Sequence, residues 1–266
     1  FANNNHFVYA LDINEINIDN VKSFKCDITS SDNLENVVKY FVSYNIKLDV
    51  IINIAGIHMM ASLVESDFER MKKLIDINLT GTMLVNKMFY PLLKEKGRII
   101  IVTSEVATYD PMPFNGLYNI SKTALDTYAQ ALRQELNLKG NKVITIRPGS
   151  TQTPLAEGSL SGTKELVSGT SLYENESKHF LNLVTKFMGK PISPNVIGKL
   201  IYKVTIKKHP KYIYNKHRNI GLVLLNTLPK RLQCFINERR AIPILLPNNA
   251  HRKKASWWSH LYHETH

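Results

Sequence analysis

Cysteine and long apolar runs are both scarce in this chain. Its 266 residues include only two cysteines, Cys26 and Cys234, which excludes a disulfide framework and a cysteine-rich zinc site. No apolar run approaches the roughly 20 residues that a membrane-spanning helix requires. The opening segment, FANNNHF, lacks the basic and apolar regions of a signal peptide. We therefore expect a cytoplasmic globular protein.

Negative charge is also under-represented. The chain has 34 Lys and Arg against 22 Asp and Glu, a formal charge of +12. A basic surface attracts nucleic acids and anionic membranes without a specific site. Much of the excess lies after residue 185, and no nucleic-acid motif accompanies it. We expect no nucleic-acid function, whereas contact with a membrane surface is only weakly indicated.

Strand-like and helix-like segments alternate along most of the chain. The strand-like segments are HFVYAL (6–11), VKSFKC (21–26), LDVIINIAG (48–56), GRIIIVTS (97–104), KVITIRP (142–148) and KYIY (211–214). A short polar link joins the first two, helical periodicity follows each of the other five, and one helix is predicted from about residue 66 to Gly97. This alternation predicts an α/β protein with a Rossmann-like, doubly wound parallel sheet and helices on both faces.

Two segments depart from this alternation. Residues 153–190 are polar with scattered apolar positions, and an insert of this length beside a sheet is typical of a substrate lid. The last residues, 241–266, read as a basic tail whose histidines lack the carboxylate or cysteine context of a metal site. We therefore predict one domain over 1–240, a C-terminal tail and no metal.

Four polar residues, one glycine and one proline lie at the ends of predicted strands. They are Asp12, Asp27, Asn53, Gly56, Ser104 and Pro148. In parallel sheets, ligands bind at the carboxyl ends of the strands. We expect these residues to gather at one edge and form a ligand site.

Tyr118 and Lys122 are one helical turn apart, after a strand that ends on Ser104. Side chains at i and i+4 share a helix face. A nearby ammonium favours the ionised phenol and lowers its pKa, which suits it for proton transfer. The same spacing also occurs in two other pairs, Tyr90 with Lys94 and Tyr212 with Lys216.

Five motifs occur together in the order of a known family. They are NIAG at 53–56, DINLTG at 76–81, TS at 103–104, YNISK at 118–122 and RPGSTQT at 147–153. With these motifs, residues 7 to about 214 resemble a short-chain dehydrogenase/reductase. Only Tyr118 follows a strand-terminal serine at the family's distance. A weaker similarity links NIGLVLLNTLPKRLQ (219–233) to hydroxysteroid and retinol dehydrogenases.

This resemblance implies an enzyme that moves hydride between NAD(P) and an alcohol or ketone. Tyr118 would exchange a proton with the substrate oxygen, and Lys122 would lower the phenol's pKa and hold the nicotinamide ribose. Ser104 would hydrogen-bond the reacting oxygen, and Asn78 would hold a water that links Lys122 to solvent. A homodimer or homotetramer is also implied.

The resemblance implies cofactor contacts as well. Asp12 would accept hydrogen bonds from the adenine ribose, and because its carboxylate repels a 2'-phosphate, NAD is favoured over NADP. The other implied contacts are Asp27 and Ile28 at the adenine, Asn53, Ala55 and Gly56 beside the adenosine, and Tyr118, Lys122, Pro148, Gly149, Thr151 and Thr153 near the nicotinamide.

The loop before Tyr118 points to the substrate class. It contains Tyr109, Met112 and Phe114, and together with apolar residues of the insert these indicate an apolar or lipid-like substrate. His58, just after the NIAG motif, is interpreted as a loop residue near the site rather than a catalyst.

One departure from the family is large. The sequence has no counterpart of the first βα unit, whose glycine-rich turn and helix N-terminus hold the pyrophosphate. We expect either a piece of a longer protein or a chain that binds NAD weakly and leaves two strands without a partner. Two alternatives stay open: a non-catalytic binding or assembly protein of this fold, and a 3-oxoacyl-acyl-carrier-protein-type reductase whose acidic carrier docks on the basic surface.

Overall fold

A computed structural model describes residues 1–187 and 191–241. The tail predicted for 241–266 therefore lies almost entirely outside the described residues. Within them, six strands pair in parallel throughout. The strands are β1 (Val8–Asp12), β2 (Val21–Lys25), β3 (Leu48–Asn53), β4 (Leu93–Val102), β5 (Lys142–Pro148) and β6 (Ile213–Lys216).

Nine α-helices are found in the same part of the chain. They are α1 (Ser31–Ser43), α2 (Phe68–Ile75), α3 (Thr82–Phe89), α4 (Gly116–Asn137), α5 (Pro154–Gly169), α6 (Glu174–Phe187), α7 (Pro194–Ile206), α8 (Ile220–Leu225) and α9 (Lys230–Ala241). Ser30 and Ser193 cap the N-termini of α1 and α7, since their hydroxyls accept hydrogen bonds from backbone N–H groups of these helices. No helix in the described residues is both long and apolar enough to cross a membrane.

The strands form two sheets, ordered β1-β2 and β3-β4-β5-β6. The predicted α/β fold with parallel strands and flanking helices is confirmed. Strands β1 and β3 each have one neighbour among the described strands. Residues of both strands line a cavity of about 1370 Å³.

Strand β4 supplies both faces of the larger sheet's core. Its alternating side chains point to opposite faces, so Ile99 and Ile101 pack with residues of α1, α3 and α4. The intervening Ile100 packs against α7 on the other face. All three isoleucines are fully buried. This two-sided burial explains why the strand is an unbroken apolar run in the sequence.

The prediction of one long helix ending near Gly97 is wrong, both in the interior of the segment and at its end. It divides into α2, a π-helical segment at Asp76–Gly81 and α3. A short 3-10 turn at Tyr90–Leu92 follows, and β4 starts before Gly97. The insert at 153–190, predicted only as a polar lid, contains the two helices α5 and α6. Pro229 lies between α8 and α9.

Candidate active site

Tyr118 and Lys122 lie on the first turns of α4 and are both buried, with 7% and 3% of their surface exposed. The Ser104 hydroxyl, at the end of β4, hydrogen-bonds the Tyr118 phenol. The Lys122 Nζ is 5.8 Å from the centroid of the Tyr118 ring. The structure thus brings the predicted serine, tyrosine and lysine together in one buried cluster.

Asn78 joins this cluster from the π-helical segment. Its Oδ1 accepts a hydrogen bond from Ile57 N at 2.7 Å, and its Nδ2 donates to Ile57 O at 2.9 Å and to Ser121 Oγ at 3.0 Å. Both amide protons are therefore used to hold the loop after β3 against α4. The role that the resemblance implies for Asn78, holding a water beside Lys122, stays a prediction, whereas its amide side chain holds the Ile57 backbone. Single π turns are frequent at functional sites.

Gly56 brings the loop after β3 into contact with the cluster. A Cβ at this position would lie 3.1 Å from both Asn78 Oδ1 and Lys122 Nζ. Such contacts are tighter than ordinary packing allows. The absence of a side chain at Gly56 therefore lets Lys122 and Asn78 approach the backbone.

The pKa predicted for Tyr118 is wrong in direction. Burial raises the pKa of Tyr118 to about 12, and the hydrogen bond from Ser104 only partly opposes this effect. Burial also lowers the pKa of Lys122 to about 8. Removal of water disfavours both charged forms and outweighs the attraction that the i, i+4 spacing indicated. At neutral pH the phenol of this structure is protonated.

The residues predicted to contact the adenosine half of the cofactor share one cavity. The cavity of about 1370 Å³ between β1 and β3 is lined by Asp12, Asp27, Ile28, Asn53, Ala55 and Gly56, among others. The Thr29 backbone N and hydroxyl, at 2.8 and 2.7 Å, donate to Asp27 and lower its pKa. The Asn53 side chain is engaged differently, since its Nδ2 donates to Asn86 Oδ1 at 2.8 Å.

The residues predicted for the nicotinamide side, Pro148, Gly149, Thr151 and Thr153, do not line that cavity. Their loop instead meets the segment after Ser104. At Gly149, a Cβ would lie 1.9 Å from His217 O and 2.9 Å from Glu105 Oε1. Glu105 is buried and accepts a hydrogen bond from Asn219 N at 2.7 Å. Three chain segments therefore converge beside Ser104, and only glycine fits at their junction.

The loop before Tyr118 packs on protein rather than presenting all its aromatic residues to a substrate. The Tyr109 hydroxyl accepts a hydrogen bond from Arg218 Nε at 2.8 Å. The Phe114 ring contacts Tyr173 and Phe180, with centroid distances of 5.4 and 5.3 Å. Phe114 thus joins this loop to α6, in the segment predicted to be a lid.

Sequence reasoning missed Asp126 and interpreted His58 only as a loop residue near the site. His58 packs against Tyr118, with ring centroids 4.4 Å apart. Asp126, one turn beyond Lys122 on α4, forms an ion pair with Arg147. The i, i+4 repeat from Tyr118 through Lys122 to Asp126 was a usable signal, whereas His58 had none beyond its place after the NIAG motif.

Comparisons with known proteins agree with this geometry. A family model described as short chain dehydrogenase matches residues 7–164. An NADPH-dependent 1-acyldihydroxyacetone phosphate reductase of Schizosaccharomyces pombe is 34% identical over 174 residues, covering 63% of this chain and 58% of that protein. A 3-ketodihydrosphingosine reductase of Bacteroides thetaiotaomicron is 25% identical, covering 74% of this chain and 72% of that protein.

The chain spans 66% of a further relative, an uncharacterized oxidoreductase of Staphylococcus epidermidis, with 28% identity over 57% of this chain. Among solved structures, a short chain dehydrogenase family protein of Francisella tularensis has a TM-score of 0.65 at 22% identity, covering 80% of this chain and 86% of that one. This likeness supports the fold. Because the family match extends over more than half of the sequence, the chain belongs to the short-chain dehydrogenase family.

Proposed function

We propose that the protein is an NAD-dependent short-chain alcohol dehydrogenase or ketone reductase. The observation that carries the proposal is the buried cluster in which Ser104 hydrogen-bonds the Tyr118 phenol and Lys122 lies beside the ring. Reduction of a ketone to an alcohol requires a proton donor at the carbonyl oxygen, and a protonated phenol next to a second hydroxyl supplies one. The carbonyl oxygen takes a proton as it is reduced, and a positioned acid lowers that barrier.

Each residue of the cluster then has a defined part. Tyr118 donates the proton to the substrate oxygen, and Ser104 donates a hydrogen bond that stabilises the developing charge on that oxygen. The charged Lys122 stabilises the phenolate left behind, because an opposite charge favours the ionised form. Asn78 and Gly56 hold the loop that keeps Lys122 in place. At neutral pH the phenol is protonated, as a proton donor has to be.

The residues around the large cavity suit a nicotinamide cofactor. When bound, this group supplies the hydride that the side chains of the chain cannot. Asp12 and Asp27 offer carboxylates at the strand ends, and Gly56 leaves room between that cavity and Lys122. The Asp12 carboxylate supports NAD rather than NADP, because it repels a 2'-phosphate.

The substrate class is proposed from the relatives and from the walls of the site. Two relatives are named for acylated or sphingoid ketones. The Phe114 ring packs with Tyr173 and Phe180 where the lid meets the loop before Tyr118. Apolar side chains at this junction support an apolar or lipid-like ketone as the substrate.

Titration with NADH, followed by nicotinamide fluorescence, tests the cofactor proposal. We expect NADH to bind more tightly than NADPH, and we expect Asp12→Asn to reduce the difference in affinity between the two cofactors. A fusion that places a β-strand, a glycine-rich turn and a helix before Phe1 provides a parallel sample. Binding by the fusion alone would indicate that the phosphate-holding turn is required.

Ketone reduction tests the catalytic proposal. Tyr118→Phe removes only the hydroxyl, so we expect a loss of about 10²- to 10⁴-fold in kcat while the fold persists. Lack of any NADH binding or turnover in both samples would favour the non-catalytic alternative. Salt-sensitive turnover of carrier-bound ketones alone would favour the acyl-carrier-protein alternative.

A further inference from the structure

His58 occupies a position against the proposed proton donor. Its ring is tilted by 54° to the Tyr118 ring, with centroids 4.4 Å apart. Its Nε2 lies 3.0 Å from Asn115 Oδ1. Because an amide oxygen only accepts hydrogen bonds, Nε2 must carry the imidazole proton and Nδ1 must have a free lone pair.

The other ring nitrogen has no comparable contact. Nδ1 of His58 is buried and has no hydrogen-bond partner among residues 1–187 and 191–241. A buried acceptor without a partner destabilises a fold, because the hydrogen bond it made to water is not replaced. Such atoms are rare in native proteins, and one beside a candidate active site calls for a functional explanation.

The surroundings of the imidazole keep this lone pair available. Burial lowers the pKa of His58 to about 4, and the positive charge of Lys122 acts in the same direction. At neutral pH the ring is therefore an uncharged acceptor. It does not donate a hydrogen bond through Nδ1, and it adds no second cation beside Lys122.

The loop around His58 leaves room for adjustment. Residues 54–62 contain neither helix nor strand, so a small turn of the ring breaks no regular hydrogen bonding. Met59 and Met60 line a cavity of about 170 Å³ that extends to the lid residues Leu166 and Thr170. This cavity lies beside the residues that follow His58, and His58 itself does not line it.

We propose that His58 is a specificity-determining residue whose Nδ1 accepts a hydrogen bond from a hydroxyl on the substrate carbon next to the reacting carbon. In this arrangement the reacting oxygen stays on Tyr118, and the hydroxyl of the adjacent carbon turns towards the imidazole that packs against the Tyr118 ring. The preferred substrates are then α-hydroxy ketones and their vicinal diols. This inference rests on the proposed reductase function and makes its substrate class narrower.

Two ketones of equal shape test the proposal. In 1-hydroxyoctan-2-one a hydroxyl occupies the position of a methyl group in nonan-3-one. We expect the wild-type kcat/KM to be about 10- to 100-fold higher for the hydroxy ketone, because a site built around a hydrogen bond rejects the analogue that lacks it. His58→Phe keeps an aromatic ring against Tyr118 but removes both nitrogens, and should lower this ratio towards one. His209→Gln, at an exposed histidine, should leave the ratio unchanged.

A binding measurement separates this proposal from the reductase function. The ¹⁵N resonance of His58 Nδ1 in the NADH-saturated wild-type protein is followed while octane-1,2-diol or octan-2-ol is added. A shift with the diol alone supports the inference even if turnover is too slow to measure. An equal response to both alcohols, or a selectivity ratio that His58→Phe leaves intact, would overturn it. If neither ketone is turned over and only the diol shifts the resonance, the result would contradict the reductase function but not the role of His58.

Discussion

Asp126 and Arg147 form a two-point ion pair between α4 and β5. Arg147 Nε lies 2.8 Å from Asp126 Oδ1, and Arg147 Nη2 lies 2.6 Å from Oδ2. Thr103, the residue before Ser104, donates to the same Oδ1 at 3.1 Å. The pair is mostly buried, with 15% and 14% of the side chains exposed. It therefore fixes the helix that carries Tyr118 relative to the strand end that carries Ser104.

Asp126→Asn should destabilise the protein and reduce its activity. The substitution leaves the Arg147 charge mostly buried without its partner, and breaking such pairs lowers the free energy of unfolding by about 3 kcal/mol. Urea unfolding measures this loss. Asp49→Asn is the matched control, because its partner Lys94 forms an exposed pair worth at most about 1 kcal/mol. Equal effects of the two substitutions would contradict the role of the buried pair.

Lys122→Met should stabilise the fold while abolishing catalysis. Burial lowers the pKa of Lys122 from 10.5 to about 8. Its charged form therefore lowers the free energy of unfolding by about 3 kcal/mol at neutral pH. A buried methionine has no charge and therefore does not lower the free energy of unfolding in this way. We expect a higher urea midpoint at pH 7 for Lys122→Met and no comparable gain for Lys39→Met at an exposed site. A lower midpoint would mean that Lys122 stabilises the fold.

The pH dependence of stability gives a second check on Lys122. Its pKa is lower in the folded state, so between pH 8 and 10.5 the unfolded chain binds a proton that the folded chain has released. The contribution of Lys122 to the free energy of unfolding therefore rises with pH in this range. The difference in stability between Lys122→Met and the wild type should shrink from pH 8 to 10.5, and a constant difference would contradict the shift.

Glu65 should hold the lid to the body of the protein. Its carboxylate accepts hydrogen bonds from Thr170 Oγ1 at 2.5 Å and from the backbone N of Ser171 and Leu172 at 2.9 Å each. We expect Glu65→Gln to speed hydrogen exchange at Ser171 and Leu172 by about tenfold or more, because one charge-assisted acceptor is lost. Exposed Glu95→Gln is the control.

The hydrogen bonds to Glu65 also predict an acid dependence. They lower its pKa from 4.5 to about 2, with the Thr170 hydroxyl as the largest cause. Its stabilising effect on the lid is fully present above pH 4.5 and is lost as the pH falls through about 2. After correction for intrinsic exchange rates, the backbone amides of Ser171 and Leu172 should lose their protection from hydrogen exchange over that range in the wild type only. The same pH response in Glu65→Gln would contradict this assignment.

The sequence was sufficient to predict the strands and several of the helices, although not α5, α6 or the division of the helix after residue 66. Much of the site follows from the strands. Alternation of strands and helices places Asp12, Asp27 and Gly56 at strand ends, and parallel pairing brings these ends to one edge. The i, i+4 rule places Tyr118 and Lys122 on one face. These predictions succeed because they depend on local periodicity and on the direction of parallel strands.

The parts that the sequence did not predict depend on packing between distant segments. The direction of the Tyr118 pKa shift follows from burial by several elements, which no local pattern encodes. The π-helical turn at Asp76–Gly81 is accompanied by an Asn78 side chain that bonds Ile57, 21 residues away. The free acceptor on His58 is visible only once its neighbours are placed.

Gly56→Ala should impair catalysis with little effect on folding. The added Cβ would lie 3.1 Å from both Asn78 Oδ1 and Lys122 Nζ, so at least one of these groups must shift. Displacement of a positioned group by a fraction of an ångström to 1 Å lowers the rate by about 10- to 100-fold. Gly169→Ala is the matched control, since its Cβ meets no atom within 4 Å. Steady-state ketone reduction and urea unfolding of both variants separate a displaced lysine from a destabilised fold. Full activity in Gly56→Ala would mean that the close approach at Gly56 has no part in holding Lys122.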